Sequence, residues 1–140
     1  MKKFLTSLLL TVLFSGLSFG TEVNIYDKYG RKTGSYKTSG STITKYNKYG
    51  QKESFYNTNR NITDVYDSYG LKTGSYKTNG NTTTKYNKYG QKVGSFQKNS
   101  NGTTTSYDKY GRKTGSYKQD SSGRITQYDK YGRKIKTYEQ

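Results

Sequence analysis

No cysteine, histidine, proline or tryptophan occurs among the 140 residues. Without imidazole or thiol there is no Ser-His-Asp or Cys-His nucleophile, no Cys/His zinc site and no disulfide. Acid is scarce as well: 9 Asp and Glu stand against 25 Lys and Arg, a formal charge of +16. What is left for catalysis is a few carboxylates, lysines and tyrosines, so the chain reads as non-enzymatic, with no cofactor and no metal.

A long apolar run occurs once, at the start. Lys2 and Lys3 precede an apolar stretch at residues 5–14, and Ser18-Phe19-Gly20 places small residues three and one before a cut ahead of Thr21. This is the pattern of a secretory signal peptide over residues 1–20. The run is too short for a membrane anchor, so no integral span is expected after cleavage. Losing Lys2 and Lys3 lowers the charge to +14.

Residues 21–140 are poor in the residues that fill cores: Val23, Ile25, Ile43, Phe55, Ile62, Val65, Leu71, Val93, Phe96, Ile125 and Ile135 are all their Val, Ile, Leu and Phe. That is a composition typical of disorder. The 17 tyrosines and many threonines oppose it, because both suit a pleated, half-buried surface.

Order comes from repetition. Tyr-x-x-Tyr-Gly begins at Tyr26, Tyr46, Tyr66, Tyr86, Tyr107 and Tyr128, giving six tandem units of about twenty residues over 21–140. A lysine follows each first tyrosine by six residues (Lys32, Lys52, Lys72, Lys92, Lys113, Lys134), and an aromatic by ten (Tyr36, Tyr56, Tyr76, Phe96, Tyr117, Tyr138). β-Branched and aromatic flanks around a turn signal make each unit a β-hairpin. Asp27, Asn47, Asp67, Asn87, Asp108 and Asp129 open the turns, and the glycine three later supplies the positive φ of a type I turn with a bulge. Between units the chain turns at Ser39-Gly40, Asn79-Gly80, Asn101-Gly102 and Ser122-Gly123, with Asn61 taking the place of glycine in the second unit. The two 21-residue spacings put one extra residue in the loops ending at Gly102 and Gly123.

Twelve strands of about six residues are expected. They are too short and too polar for a membrane barrel, which needs about 9 to 11 residues per strand, and they would make only three propeller blades, below the usual four or more. The expected fold is all-β: an elongated array of hairpins, either one twisted sheet or a β-solenoid. A three-residue turn places the first tyrosine opposite the repeated lysine, with the later aromatic on the same face, a Tyr-Lys-Tyr stripe in which rings stack into a ladder. The glycines at the eighth position, Gly34, Gly74, Gly94 and Gly115, would let a neighbouring ring lie over them.

The turn tyrosines Tyr29, Tyr49, Tyr69, Tyr89, Tyr110 and Tyr131 sit at tips where the turn itself does not require burial. With Lys28, Lys48, Lys88, Lys109 and Lys130 beside them they form the candidate ligand-binding set, rings for stacking and ammonium groups for anions. The alternative role is packing back on the adjacent unit. Asp27, Asp67, Asp108 and Asp129 could be weighed as glycosidase carboxylates, but asparagine at Asn47 and Asn87 fits a turn-forming role for the position better.

The runs Tyr26 to Arg31, Tyr107 to Arg112 and Tyr128 to Arg133 read Tyr-Asp-x-x-Gly-Arg, and the last follows Gly123-Arg124-Ile125-Thr126-Gln127. They resemble the YD repeat of bacterial RHS-type cell-surface proteins. The resemblance implies extended β structure, an envelope or extracellular location and carbohydrate binding. Taken with the charge, the expectation is a secreted, periplasmic or cell-surface protein that binds anionic polysaccharide, lipopolysaccharide or another polyanion. Self-association into fibrils through exposed edge strands is the alternative.

Overall fold

In the computed structural model the described residues are 22–140, and the expected signal peptide lies outside them. They form twelve strands: β1 (Glu22–Asp27), β2 (Lys32–Ser39), β3 (Thr42–Asn47), β4 (Lys52–Asn59), β5 (Ile62–Asp67), β6 (Lys72–Asn79), β7 (Thr82–Asn87), β8 (Lys92–Lys98), β9 (Thr103–Asp108), β10 (Lys113–Gln119), β11 (Ile125–Asp129) and β12 (Lys134–Glu139). Each pairs antiparallel with the next in sequence. The expected elongated array is wrong in one decisive respect. β1 pairs with β12, Ile25 opposite Tyr138 and Asn24 opposite Glu139, so the sheet closes into a twelve-stranded barrel. Twist accumulates from strand to strand in a meander, and closure removes both unpaired edges. The edge strands invoked for fibril growth are therefore spent on each other.

A bulge decides which side chains go inside. In the first hairpin Tyr26 lies opposite Lys32 and Ile25 opposite Gly34, which leaves Thr33 as an extra residue. The same slip recurs at Glu53, Thr73, Val93, Thr114 and Ile135. One extra residue reverses the parity of the strand. The expected Tyr-Lys-Tyr stripe is therefore split: the first tyrosine and the lysine face outward, and the later aromatic faces the barrel interior. There it sits opposite the residue three before the first tyrosine, as Val23–Tyr36, Ile43–Tyr56, Thr63–Tyr76, Thr83–Phe96, Thr104–Tyr117 and Ile125–Tyr138.

These six pairs, with Ile25, are the core. Val23, Ile43, Thr63, Thr83, Thr104 and Ile125 are at most 2% exposed. Strands two apart are separated by about 9.6 Å along the wall. The centroids of Tyr36 and Tyr56, Tyr76 and Phe96, and Phe96 and Tyr117 are nevertheless 6.2–6.3 Å apart. The rings thus lean inward toward one another, in tilted contacts that aromatic pairs favour. Burial pushes the phenols of Tyr36, Tyr76 and Tyr138 well above their ordinary range and that of Tyr117 up to about 12, so all four stay protonated at neutral pH.

The eighth-position glycines have a cause other than ring packing. A Cβ on Gly34, Gly74 or Gly115 would lie 2.5 Å from the carbonyl oxygen of Tyr46, Tyr86 or Tyr128 on the following strand. Backbone closeness, not an overlying ring, selects glycine there. The between-unit turns hold a second correction: the positive φ of the second unit falls on Arg60 (59°), aligned with Gly40 and Gly80, and not on Asn61.

Candidate functional site

Antiparallel order sends all six Tyr-Gly turns to one rim of the barrel and the five between-unit turns, with Glu22 and Glu139, to the other. Closure bends what would have been a row of turns into a ring. We refer to the Tyr-Gly rim as the crown.

Each crown turn is built the same way. In the first, the Gly30 N–H donates to the Asp27 carbonyl at 3.0 Å, Asp27 N–H donates to the Arg31 carbonyl at 2.9 Å, and Gly30 has φ +81°. This is the three-residue type I turn with a glycine bulge. The Asp27 side chain locks it: Oδ1 accepts from the N–H groups of Tyr29 (2.9 Å) and Arg31 (3.0 Å). Asn47, Asp67, Asn87, Asp108 and Asp129 accept the equivalent pairs. With its own peptide bonds satisfied this way, the turn leaves its two middle side chains with no structural duty.

Those side chains project outward. Tyr29, Tyr49, Tyr69, Tyr89, Tyr110 and Tyr131 are 70–89% exposed, so packing back on the adjacent unit is not what they do. Lys28, Lys48, Lys88, Lys109 and Lys130 each hold Nζ 5.1–5.2 Å from the centroid of the next tyrosine, within cation–π range. All eleven residues predicted from the sequence are therefore brought to one rim, as exposed rings with an ammonium over five of them.

Three arginines belong to the same surface and escaped the sequence reading. The guanidinium carbons of Arg31, Arg112 and Arg133 lie 5.0–5.2 Å from the Tyr29, Tyr110 and Tyr131 centroids. Their Nε atoms donate to Oδ2 of Asp27, Asp108 and Asp129 at 2.7–2.9 Å. Where the turn opens with asparagine the partner is glutamine: Asn47 Nδ2 donates to Gln51 Oε1 at 2.8 Å, and Asn87 to Gln91 at 2.9 Å. The signal was in the sequence as a matched exchange, Asp with Arg and Asn with Gln, four residues apart. Either combination leaves the turn with the net +1 of its lysine.

The third turn departs from this rule. Ser68 replaces the lysine and Leu71 the arginine or glutamine, so with Asp67 its net charge is −1. Tyr69 has neither cation beside it and is 89% exposed, and Leu71 is 66% exposed.

Three of the crown aspartates are held in their ionised form. A backbone hydrogen bond from Arg31, assisted by the Arg31 side chain, holds Asp27 below its ordinary range, and Arg112 and Arg133 do the same for Asp108 and Asp129. Among the described residues no three His, Cys, Asp or Glu gather where a metal ion could be held, and no helix is long and apolar enough to cross a membrane. Neither a family model nor a curated protein matches the chain.

Proposed function

We propose that this is a non-catalytic anion-binding protein of the bacterial envelope, secreted, periplasmic or at the cell surface, and that the crown is its contact face. Its ligands would be polyanionic: acidic polysaccharide, lipopolysaccharide or a polymer of similar charge. The observation that carries this reading is the pairing of an exposed ring with an ammonium in five turns at one rim. Rings stack on sugar or base faces while lysines meet the anionic groups, and the cations already polarise the rings they cover. The eight cations in the crown loops are Lys28, Arg31, Lys48, Lys88, Lys109, Arg112, Lys130 and Arg133.

Such binding falls steeply with salt, because each neutralised anionic site releases counterions. The test is the salt dependence of binding to a soluble polyanion such as heparin. Replacing Lys48, Lys88, Lys109 and Lys130 with Gln should flatten the log–log slope by about one per lost contact. A slope unchanged by the four substitutions, in a protein with its β spectrum intact, removes the crown as the contact face.

A further inference from the structure

A ring of tips differs from a row in what it can touch. Twelve strands spaced about 4.8 Å apart and tilted by about 40° close into a barrel roughly 24 Å across. Six exposed tyrosines around such a rim match a broad surface better than a thread. Tyrosine with lysine and arginine is also the composition found where proteins meet a lipid–water interface, the ring lying among headgroups and the cations reaching phosphate.

The third turn adds an observation that soluble polyanion binding leaves without a purpose. Leu71 stands exposed among cationic turns, at a place where Arg31, Gln51, Gln91, Arg112 and Arg133 stand elsewhere. The turn does not need it, since Gln at 51 and 91 closes the same loop. Below it Phe55 stacks on Tyr66, centroids 4.9 Å apart and planes 14° from parallel, with Lys52 Nζ 4.1 Å from the Phe55 centroid, in a place where Ser35, Ser75, Ser95 and Ser116 face Tyr46, Tyr86, Tyr107 and Tyr128. Asp67 sits at the strand end beneath the tip, held by the Tyr69 and Leu71 N–H groups.

We propose that the crown docks on an anionic lipid surface, with Tyr69 and Leu71 entering below the headgroups while the five cationic turns rest on them. This deepens the anion-binding reading and rests on it, naming a lipid layer as what presents the charge. Attraction comes from the cations, which the negative surface potential of such a layer draws toward it. Depth comes from the turn that lacks them.

The absence of native tryptophan makes the test clean. Tyr69→Trp and Tyr131→Trp each install a single reporter in opposite parts of the ring, and both are titrated with phosphatidylcholine vesicles containing phosphatidylglycerol and brominated acyl chains. The expected result is a blue shift and strong bromine quenching for Tyr69→Trp, with weaker quenching for Tyr131→Trp. Leu71→Gln, which installs the side chain of the second and fourth turns, should weaken vesicle binding about tenfold and leave heparin binding unchanged. Equal quenching at both positions overturns the proposal, as does equal loss of vesicle and heparin binding in Leu71→Gln. Heparin binding without vesicle binding overturns it while sparing the anion-binding crown, and binding to neither removes both. A blue shift that grows with protein concentration in the absence of vesicles would assign the third turn to a second copy of this chain instead.

Discussion

The two rims of the barrel are an experiment the chain has performed on itself. At the crown, six loops of type I turn and glycine bulge carry Lys-Tyr in the middle, or Ser-Tyr in the third. At the opposite rim two loops have the same hydrogen bonds, Gly102 to Asn99 and Gly123 to Asp120, with Ser100-Asn101 and Ser121-Ser122 in the middle. Asp120 even repeats the lock, accepting from the N–H groups of Ser122 and Arg124. One backbone solution therefore closes with or without the ring and the cation. The opposite-rim loops carry Arg60, Arg124 and Asp120 as their charges, against eight cations in the crown loops.

The comparison is most severely tested by making the rims alike. Converting Lys48-Tyr49, Lys88-Tyr89, Lys109-Tyr110 and Lys130-Tyr131 to Ser-Ser should abolish measurable heparin binding at physiological salt, since each stacked ring alone is worth about 1 to 3 kcal/mol in nucleic-acid systems. Circular dichroism and the melting temperature should stay near the parent values. A large drop in melting temperature would return the rings to a structural role.

Next in size is the contrast between tip and interior. Tyr76→Ala should destabilise by about 3 to 5 kcal/mol through the cavity it leaves between Thr63 and Phe96, whereas Tyr89→Ser should stay within about 0.5 kcal/mol. Denaturant titration of the two variants separates them, and similar values would contradict the division between ladder and crown.

Alkali sharpens the same contrast by pH. The folded protein keeps the Tyr36, Tyr76, Tyr117 and Tyr138 phenols protonated above their unfolded value of about 10. Above that pH the unfolded chain releases protons the folded one retains, so this stabilisation is complete below pH 10 and declines as pH rises, by roughly 1 kcal/mol per pH unit for each phenol. Tyrosinate absorbance for these four should rise together with loss of the β spectrum. Their ionisation in a fully folded barrel would show that the interior is wet.

The smallest effect belongs to the turn locks. Asp27, Asp108, Asp120 and Asp129 have lowered values when folded, so what they contribute is present above about pH 4 and is lost as pH falls through the folded values. Because these groups lie at the rims, acid should loosen turns at both without unfolding the barrel, visible as lower amide protection, relative to the intrinsic exchange rate at the same pH, at Tyr29 and Ser122. Protection confined to one rim would break the equivalence of their backbones.

Much of this was legible in the amino-acid order because the information is local. Six units, their hairpins and the Asp/Asn-to-Gly turn follow from side chains that act on backbone two to four residues away. What was hidden is non-local or a matter of a single residue. Thr33 and its equivalents look like ordinary strand residues, yet as bulges they reverse which face the later aromatic takes. Thr63, Thr83 and Thr104 are indistinguishable from surface threonines until the aromatic opposite them is known to point inward. Closure depends on β1 meeting β12, and nothing in Asn24 or Glu139 announces the other. The arginines were missed because their value lies in a pairing with Asp27, Asp108 and Asp129, not in their number.

Closure is what turns twelve strands into two rims, and the absence of native cysteine permits one direct measurement of it. Asn24 and Glu139 face each other across β1 and β12, whereas in an open sheet those strands would be about 53 Å apart, eleven spacings of about 4.8 Å. In the double variant Asn24→Cys/Glu139→Cys, mild oxidation should give a monomer with one internal disulfide, detected by its mobility on a denaturing gel and by mass, with the β spectrum retained. Thiols that stay reduced, or that join only between molecules, would contradict the closed barrel and with it the crown.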